Sequence, residues 1–270
     1  LSSYGIPNMR MPVTVERSGQ LFSEFDELKN KSIFDSIVIR KKQLENYFKS
    51  NCFPYEAGNK EEIMSYANFA ASVQMALEFV ILDFVKELKE DTGFDNLVIA
   101  GGVALNCSAN GKIERSGVFK NIYVPPFASD SGTAIGAALE LDYKLHNRSL
   151  SLKPMRTASL GASYTDEVAF SVLNKYEDRL SWETLHDDAL FSSVAESLSS
   201  GEIVCWMQGA FEAGRRALGN RSILADPRER KSLIRLNNIK DREMWRPIAP
   251  SIIYENYSDY FTGSPDNKHF

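Results

Sequence analysis

Apolar residues recur at helical spacing over residues 61–90 and predict one long amphipathic helix. Asn59 followed by two glutamates is typical of a helix start, and Thr92-Gly93 is typical of a helix end. The apolar positions lie on one helical face: Ile63, Ala67, Ala70, Ala71, Leu77, Val80, Ile81, Phe84 and Leu88. Periodicity leaves open whether this face packs within its own domain or against a partner subunit, for example in a homodimer.

Short apolar runs then alternate with helical patterns. Residues 96–100 and 121–124 are of strand type, and helices are expected over about 104–116 and from residues 129–132 onward. Strand, helix, strand, helix in this order predicts a parallel α/β layer. The first sixty residues are irregular, with one strand candidate at residues 36–39.

A stretch without periodicity near residues 147–156 predicts a domain boundary. Beyond it, helical patterns at 166–176 and 187–198 precede a buried strand at 203–207, a loop rich in arginine, and a helix near 228–237. The prediction is therefore an α/β protein of two domains, residues 1–153 and a smaller one at 154–270.

Composition narrows the class of protein. Apolar content of 43% and charged content of 25% are those of a soluble globular protein, and no apolar run reaches the length of a membrane span. A pI near 5.4 argues against a general nucleic-acid binder. Three scattered cysteines predict buried, reduced thiols and a cytoplasmic location. No signal peptide is visible, and the lack of an initiator methionine suggests a piece of a longer chain.

The charge distribution singles out residues 209–246, which carry ten cations and five anions in a chain of net charge −5. Arginines follow the strand-end glycine, and a guanidinium donates two parallel hydrogen bonds to phosphate or carboxylate. The stretch is therefore a candidate anion site, with Arg215, Arg216 and Arg221 nearest the strand. A solvated charged surface is the alternative. Lys240 and Arg246, beside Trp245, form either a second wall of the site or an exposed segment.

Two further motifs follow predicted strands. Gly101-Gly102 stands between a strand and a helix, where it serves either tight packing or the approach of a phosphate or flat ring. Asn106 and Asn110 share one helical face above it. Asp130 is either a helix N-cap or a carboxylate at the carboxyl end of a strand, where open α/β sheets place ligands and where it could bind a metal.

Together these motifs resemble the O-carbamoyltransferases of the nodulation and antibiotic-tailoring type. In the first half the resemblance rests on residues 100–107 (AGGVALNC), 110–111, 124–126, 130–132 and 136–138. In the second half it rests on residues 208–228, 236–237, 239–240, 242–243 and 246–251 (RPIAPS). The motifs occur in the family's order and cover most of residues 70–251.

The resemblance implies the second half of an actin/Hsp70-like (ribonuclease H-like) domain followed by an incomplete YrdC-like domain. The YrdC-like part would form carbamoyl-adenylate from carbamoyl phosphate and ATP. The first domain, with an iron-type metal, would pass the carbamoyl group to a hydroxyl of a small-molecule acceptor. By position, Gly101, Gly102 and Asn106 would contact nucleotide, Asp130 would ligate metal, and Arg216 and Arg221 would hold phosphate or carbamoyl oxygens.

The chain also departs from the family pattern. Ala210 stands where an arginine is usual and Arg215 where a proline is usual, so Arg215 is expected to compensate for the lost cation. The family's His-x-x-x-His pair and its Asn-Thr-Ser-Phe-Asn stretch are absent from this sequence. We therefore expect a fragment that does not complete the reaction alone; a catalytically inactive nucleotide-binding or regulatory module is the alternative.

Overall fold

The computed structural model describes residues 2–7, 13–15, 21–23, 42, 46, 66–146, 155 and 157–262. The chain divides into two compact units. The first unit contains residues 1–98 and 106–123, and the second contains residues 99–105 and 124–270. The chain therefore crosses between the units three times. The predicted domain boundary, the strand at 36–39 and the helix start near residue 59 lie outside the described residues.

The first unit combines two small sheets with two helices. Strands β1 (Val13–Val15) and β2 (Leu21–Ser23) pair antiparallel and precede helix α1 (Ala67–Thr92). Strand β3 (Asn96–Val98), helix α2 (Cys107–Ser116) and strand β4 (Asn121–Tyr123) follow. Strands β3 and β4 run parallel, as the sequence predicts, with Leu97 opposite Ile122.

Helix α1 ends where the sequence predicts, with Gly93 in the left-handed conformation. It packs against α2, and Ile113 of α2 is 1% exposed in the core between them. Among the described residues α1 alone is long and apolar enough to cross a membrane. Core helices of soluble proteins meet the same criteria, so the prediction of no membrane contact is neither confirmed nor contradicted.

The ends of α1, β3 and β4 are joined by one carboxylate. Asp95 accepts from the ammonium groups of Lys120 (2.6 Å) and Lys89 (2.8 Å). These two lysines lower the pKa of Asp95 to about 2. Asp95 thus helps to hold the parallel strands in register beside the helix end.

The second unit begins with a 3-10 turn at Gly102–Leu105 and continues after β4 with helix α3 (Ser131–His146). Helices α4 (Asp166–Leu173) and α5 (Asp187–Ser199) precede strands β5 (Ile203–Met207) and β6 (Arg221–Ala225), which pair antiparallel. Helix α6 (Arg230–Ile239) and the short helix α7 (Tyr257–Tyr260) complete the unit. The mixed α/β class is confirmed.

Several local predictions were wrong. The helix expected over about 104–116 is confirmed over Cys107–Ser116, but its predicted start was wrong, because a 3-10 turn precedes it and the Asn106 side chain caps α2. Residues 221–225 were predicted as loop but form β6. Strand β5 is not fully buried, since Met207 is 66% exposed. Cys107 and Cys205 are exposed free thiols rather than buried ones, and Cys52 lies outside the described residues.

Candidate functional site

The residues between β5 and β6, 208–220, form a loop that we call the arginine loop. Its backbone folds around the carboxylate of Glu212, which accepts from the amides of Asn220 (2.6 Å) and Leu218 (2.9 Å). Partial burial alone would raise the pKa of Glu212, but the amides of Asn220, Leu218 and Arg221 outweigh burial and lower this pKa. The only anion of the loop is therefore used by backbone amides.

Asn220 closes the base of the arginine loop. Its side-chain amide donates to the carbonyl of Ala210 (2.8 Å) and to the hydroxyl of Ser159 (2.7 Å). Backbone hydrogen bonds also join residues 158–162 to the loop, including Gly161 N to Phe211 O at 2.8 Å. The loop is thus braced on two sides.

The arginine loop touches the segment that follows β4. A Cβ atom on Gly214 would lie 2.1 Å from the carbonyl oxygen of Pro126, so only a glycine allows this approach. Two residues further on, the carbonyl of Ala128 accepts from the amide of Gly101 at 2.6 Å. Three predicted motifs, the glycine pair, the Asp130 segment and the arginine loop, therefore meet within the second unit.

Arg215 and Arg216 lie at the outer turn of the arginine loop. Both side chains are exposed, and within the described part of the chain neither has a hydrogen bond or an ion pair. Their positive charges are therefore available to an anion from solution. The loop that carries them is ordered by the contacts of Glu212 with the backbone.

Arg221 differs from these two, since it is the first residue of β6 and binds its own chain. Its Nη1 donates to the carbonyls of Gln208 (2.6 Å) and Asn220 (2.7 Å), and its guanidinium lies 3.9 Å from the ring centre of Phe211. Its Nε is buried with no hydrogen-bond partner among the described residues. Arg221 thus supports the loop and keeps one buried donor unused.

Tight packing does not explain the glycine pair within the described residues. A Cβ atom on Gly101 or Gly102 would meet no atom of the described residues within 4 Å, so among these residues the space beside both glycines is open. Gly101 has φ +96°, which favours glycine, whereas Gly102 shows no such need. Open space beside the backbone is what an approaching phosphate or ring requires.

Asn106 and Asn110 lie in the first unit and do not form the exposed polar face that the sequence suggests. The side-chain oxygen Oδ1 of Asn106 accepts from the backbone amide of Ala109 (3.0 Å) and from Gln74 Nε2 (3.1 Å), and its Nδ2 donates to Gln74 Oε1 (2.9 Å). Gln74 also donates to Glu78, which pairs with Lys112. Asn110 is 6% exposed. Roles for both in nucleotide binding stay predictions.

Asp130 immediately precedes α3 with an exposed side chain. Its backbone carbonyl, rather than its carboxylate, binds the amide and hydroxyl of Thr133. No group of three histidine, cysteine, aspartate or glutamate side chains that could hold a metal occurs in the described ranges. A single carboxylate is too few ligands for iron, so these residues alone do not fit the metal that the family resemblance implies.

Lys240 and Arg246 stand after α6. Lys240 is exposed and has no side-chain partner among the described residues, whereas Arg246 binds the carboxylate of Glu243 at 2.6 Å. Asn237, 0% exposed, donates to the carbonyl of Arg246 at 3.0 Å and so fixes this segment to the helix. Of the two predicted cations, only Lys240 is uncompensated in the described chain.

The residues that organise the site are the ones that the charge pattern does not reveal. Glu212 enters the charge count as one more anion, and Asn220 as a polar loop residue. Their roles depend on which backbone amides they bind, which spacing does not show. The positions of Gly214 and Gly219 were a usable signal, because repeated glycines mark a loop with backbone turns that other residues disfavour.

Comparison with known proteins identifies both halves of the chain. The family model described as "Carbamoyltransferase N-terminus" matches residues 3–139, and that described as "Carbamoyltransferase C-terminus" matches residues 195–270. The predicted domain boundary lies between these two ranges.

Curated relatives agree. The chain is 39% identical over 198 residues to nodulation protein NolO of Bradyrhizobium diazoefficiens, covering 73% of this chain and 36% of NolO. It is 34% identical over 188 residues to the 3'-hydroxymethylcephem-O-carbamoyltransferase of Streptomyces clavuligerus, covering 68% and 32% of the two chains. An uncharacterized protein of Synechocystis is 43% identical over 198 residues, covering 72% and 32%.

The chain spans about one third of the length of the curated relatives that it matches. The two family models match in the order in which the motifs of the glycine pair and the arginine loop occur. The first model alone covers half of the chain. The chain therefore belongs to the carbamoyltransferase family.

Proposed function

We propose that this chain takes part in ATP-dependent O-carbamoyl transfer. In the first step water cleaves carbamoyl phosphate to carbamate and phosphate, and a carbamate oxygen then attacks the α-phosphate of ATP, giving carbamoyl-adenylate and releasing pyrophosphate. In the second step a hydroxyl of a small-molecule acceptor attacks the carbamoyl carbon and AMP leaves. The related cephem enzyme is named for such a transfer to oxygen.

The observation that carries the proposal is the state of Arg215 and Arg216. Both guanidinium groups are exposed and uncompensated within the described chain, on a loop that Glu212 and Asn220 hold in place. Adenylate formation gathers the negative charge of a triphosphate and of the carbamoyl donor. A loop backbone that is already ordered before the reaction lowers the reorganisation needed to bring these two cations to that charge.

The site residues differ in this proposal in whether they contact the ligand directly or support the residues that do. Arg216 binds phosphate oxygens directly, with Arg215 beside it in place of the missing cation at position 210. Arg221 holds the loop through the carbonyls of Gln208 and Asn220, and must leave these acceptors before it can bind phosphate. The open space beside Gly101 and Gly102 admits the nucleotide. Lys240 adds a cation, whereas Arg246 must first exchange Glu243 for a ligand.

The proposal also covers the finer fold. We assign the first part of the chain to an actin/Hsp70-like domain and the second to a YrdC-like domain, in a cytoplasmic protein. An iron-type metal would polarise the carbamoyl carbonyl as a Lewis acid when bound. Since Asp130 is one ligand, its partners must come from residues other than those described, and no step of our proposal depends on the metal.

An inactive nucleotide-binding module is the second candidate, favoured by Ala210 and Arg215 at positions where the family usually has arginine and proline. The two candidates differ in chemistry. An enzyme releases pyrophosphate from ATP only when carbamoyl phosphate is present. An inactive module binds ATP and releases none in either condition.

The test is calorimetric titration of the chain with ATP, with and without carbamoyl phosphate, on the wild type, Arg216→Ala and Arg230→Ala. Arg230→Ala is the matched control because it removes the same charge from an exposed position in α6. Loss of one charge-assisted contact of about 1.5–3 kcal/mol predicts about ten- to hundredfold weaker ATP binding in Arg216→Ala.

We expect Arg230→Ala to bind ATP as the wild type does. Equal affinity in Arg216→Ala and the wild type would contradict the assignment of Arg216. No binding of ATP by a folded wild-type chain would remove the nucleotide site from this chain altogether.

A further inference from the structure

We infer that Glu212 is the positioning residue of the arginine loop, and that the reach of its carboxylate matters more than its charge. Which anion the loop then receives rests on the function proposed above. The role of Glu212 in holding the loop does not.

The first step of the argument is the partner choice of Glu212. Arg215, Arg216 and Arg221 all lie within nine residues of it, and opposite charges so close in sequence commonly pair. Yet Oε1 of Glu212 accepts from the backbone amides of Asn220 and Leu218, at 2.6 and 2.9 Å. Within the described part of the chain, none of the three arginines forms an ion pair with it.

The second step is where these two amides lie. Leu218 and Asn220 follow the outer turn that carries Arg215 and Arg216, and Glu212 precedes it. The carboxylate therefore ties the two ends of the turn together over six to eight residues. These two hydrogen bonds limit the conformations of the turn. They therefore also limit the directions in which the two guanidinium groups can point.

The third step is the charge that results. A glutamate paired with an arginine would cancel one of the cations that an anion needs. A glutamate that accepts from neutral amides leaves both cations uncompensated and still satisfies two backbone donors that would otherwise cost free energy when partly buried. The loop thus gains order without losing its attraction for anions.

Two substitutions separate geometry from charge. Glu212→Gln removes the charge but keeps an Oε1 acceptor at the same reach. Glu212→Asp keeps the charge but withdraws the carboxylate by one methylene, beyond the observed contacts. Glu229→Gln is the control, because this exposed glutamate pairs with Lys231 away from the arginine loop.

Two readouts are needed. Amide hydrogen exchange of peptides covering residues 212–221 reports the loop without any ligand, and calorimetric titration with ATP reports binding. A melting curve for each variant shows that the chain remains folded. We expect Glu212→Asp to exchange the Leu218 and Asn220 amides about tenfold faster and to bind ATP about tenfold more weakly, the effect of losing about one hydrogen bond.

We expect Glu212→Gln and Glu229→Gln to stay within about threefold of the wild type in both measurements, because neither loses the acceptor. The inference is overturned if Glu212→Gln is affected as strongly as Glu212→Asp, or if Glu212→Asp leaves amide exchange unchanged. If exchange accelerates while ATP affinity does not fall, Glu212 does hold the loop, and what is overturned is that the loop it holds forms the ATP site. If the wild type binds no ATP, the proposed function fails, and exchange alone decides the role of Glu212.

Discussion

The contact between Gly214 and Pro126 makes a strong prediction about how the arginine loop is held. Gly214 has φ +102° and Gly219 has φ +108°, so alanine at either position pays for a backbone conformation that L-residues rarely adopt. Such strain costs about 1–3 kcal/mol per residue. The two glycines differ in their surroundings, since a Cβ on Gly219 would meet nothing within 4 Å in the part of the chain that the structure describes.

Only Gly214→Ala also forces two backbones apart. Its Cβ would lie 2.1 Å from the Pro126 carbonyl oxygen, and Cβ atoms essentially never approach another atom closer than 3.0 Å. Overpacking of this kind costs about a further 1–3 kcal/mol. We therefore expect Gly219→Ala to destabilise the second unit by about 1–3 kcal/mol and Gly214→Ala by about 2–6 kcal/mol.

Urea unfolding followed by tryptophan fluorescence measures this difference, because the three tryptophans of the chain, residues 182, 206 and 245, all lie in the second unit. With a slope of about 2 kcal/mol per molar urea, the midpoints of the two variants should differ by about 0.5–1.5 M. Equal midpoints would refute the reasoning, because they would mean that the arginine loop does not touch the segment after β4.

Three further predictions concern the first unit. Ile113 is 1% exposed, so Ile113→Ala should lower the free energy of unfolding in urea by about 2–5 kcal/mol, and Ile113→Val should lower it by about 0.5–1.5 kcal/mol. A smaller loss for the alanine variant would contradict the core position of Ile113. Asn106→Ala should destabilise α2 by about 0.5–2 kcal/mol through loss of its cap, measured by urea unfolding followed by far-ultraviolet circular dichroism, and an unchanged midpoint would contradict the cap. Because the folded pKa of Asp95 is lowered to about 2 from 3.8, its contribution is present above pH 3.8 and is lost as the pH falls toward 2. Asp95→Asn should therefore flatten the acid unfolding curve between these values, and a curve of unchanged slope would argue against the two-lysine contact.

Much of the fold follows from local pattern. The end of α1 at Gly93, the parallel pair β3 and β4, and strand β5 at residues 203–207 agree with the sequence predictions. Each of these has a signal within a few residues: a glycine in the left-handed conformation, or an apolar run that a turn or proline ends. Strand β6 has only a short apolar run, residues 223–225, and the arginine and serine ahead of it favoured a loop in the sequence prediction.

The candidate site was harder to predict because its order comes from contacts distant in sequence. Asn220 binds Ser159 across 61 positions, and Gln74 binds Asn106 across 32. A single sequence without such pairings shows that Arg215 and Arg216 are basic, but not that Glu212 leaves them uncompensated. It also suggests that Asn106 is available to ligand, whereas its side chain caps a helix.

The three crossings of the chain between its two units have a consequence for synthesis on the ribosome. The first unit is complete in sequence once residue 123 has emerged, so it can fold early. Residues 99–105 emerge before that point but belong to the second unit, whose other residues begin at 124. The glycine pair therefore cannot pack with the rest of the second unit until the arginine loop has been translated. Until then it connects two segments of the first unit, which can already be folded. No single cut of the chain separates the two units intact.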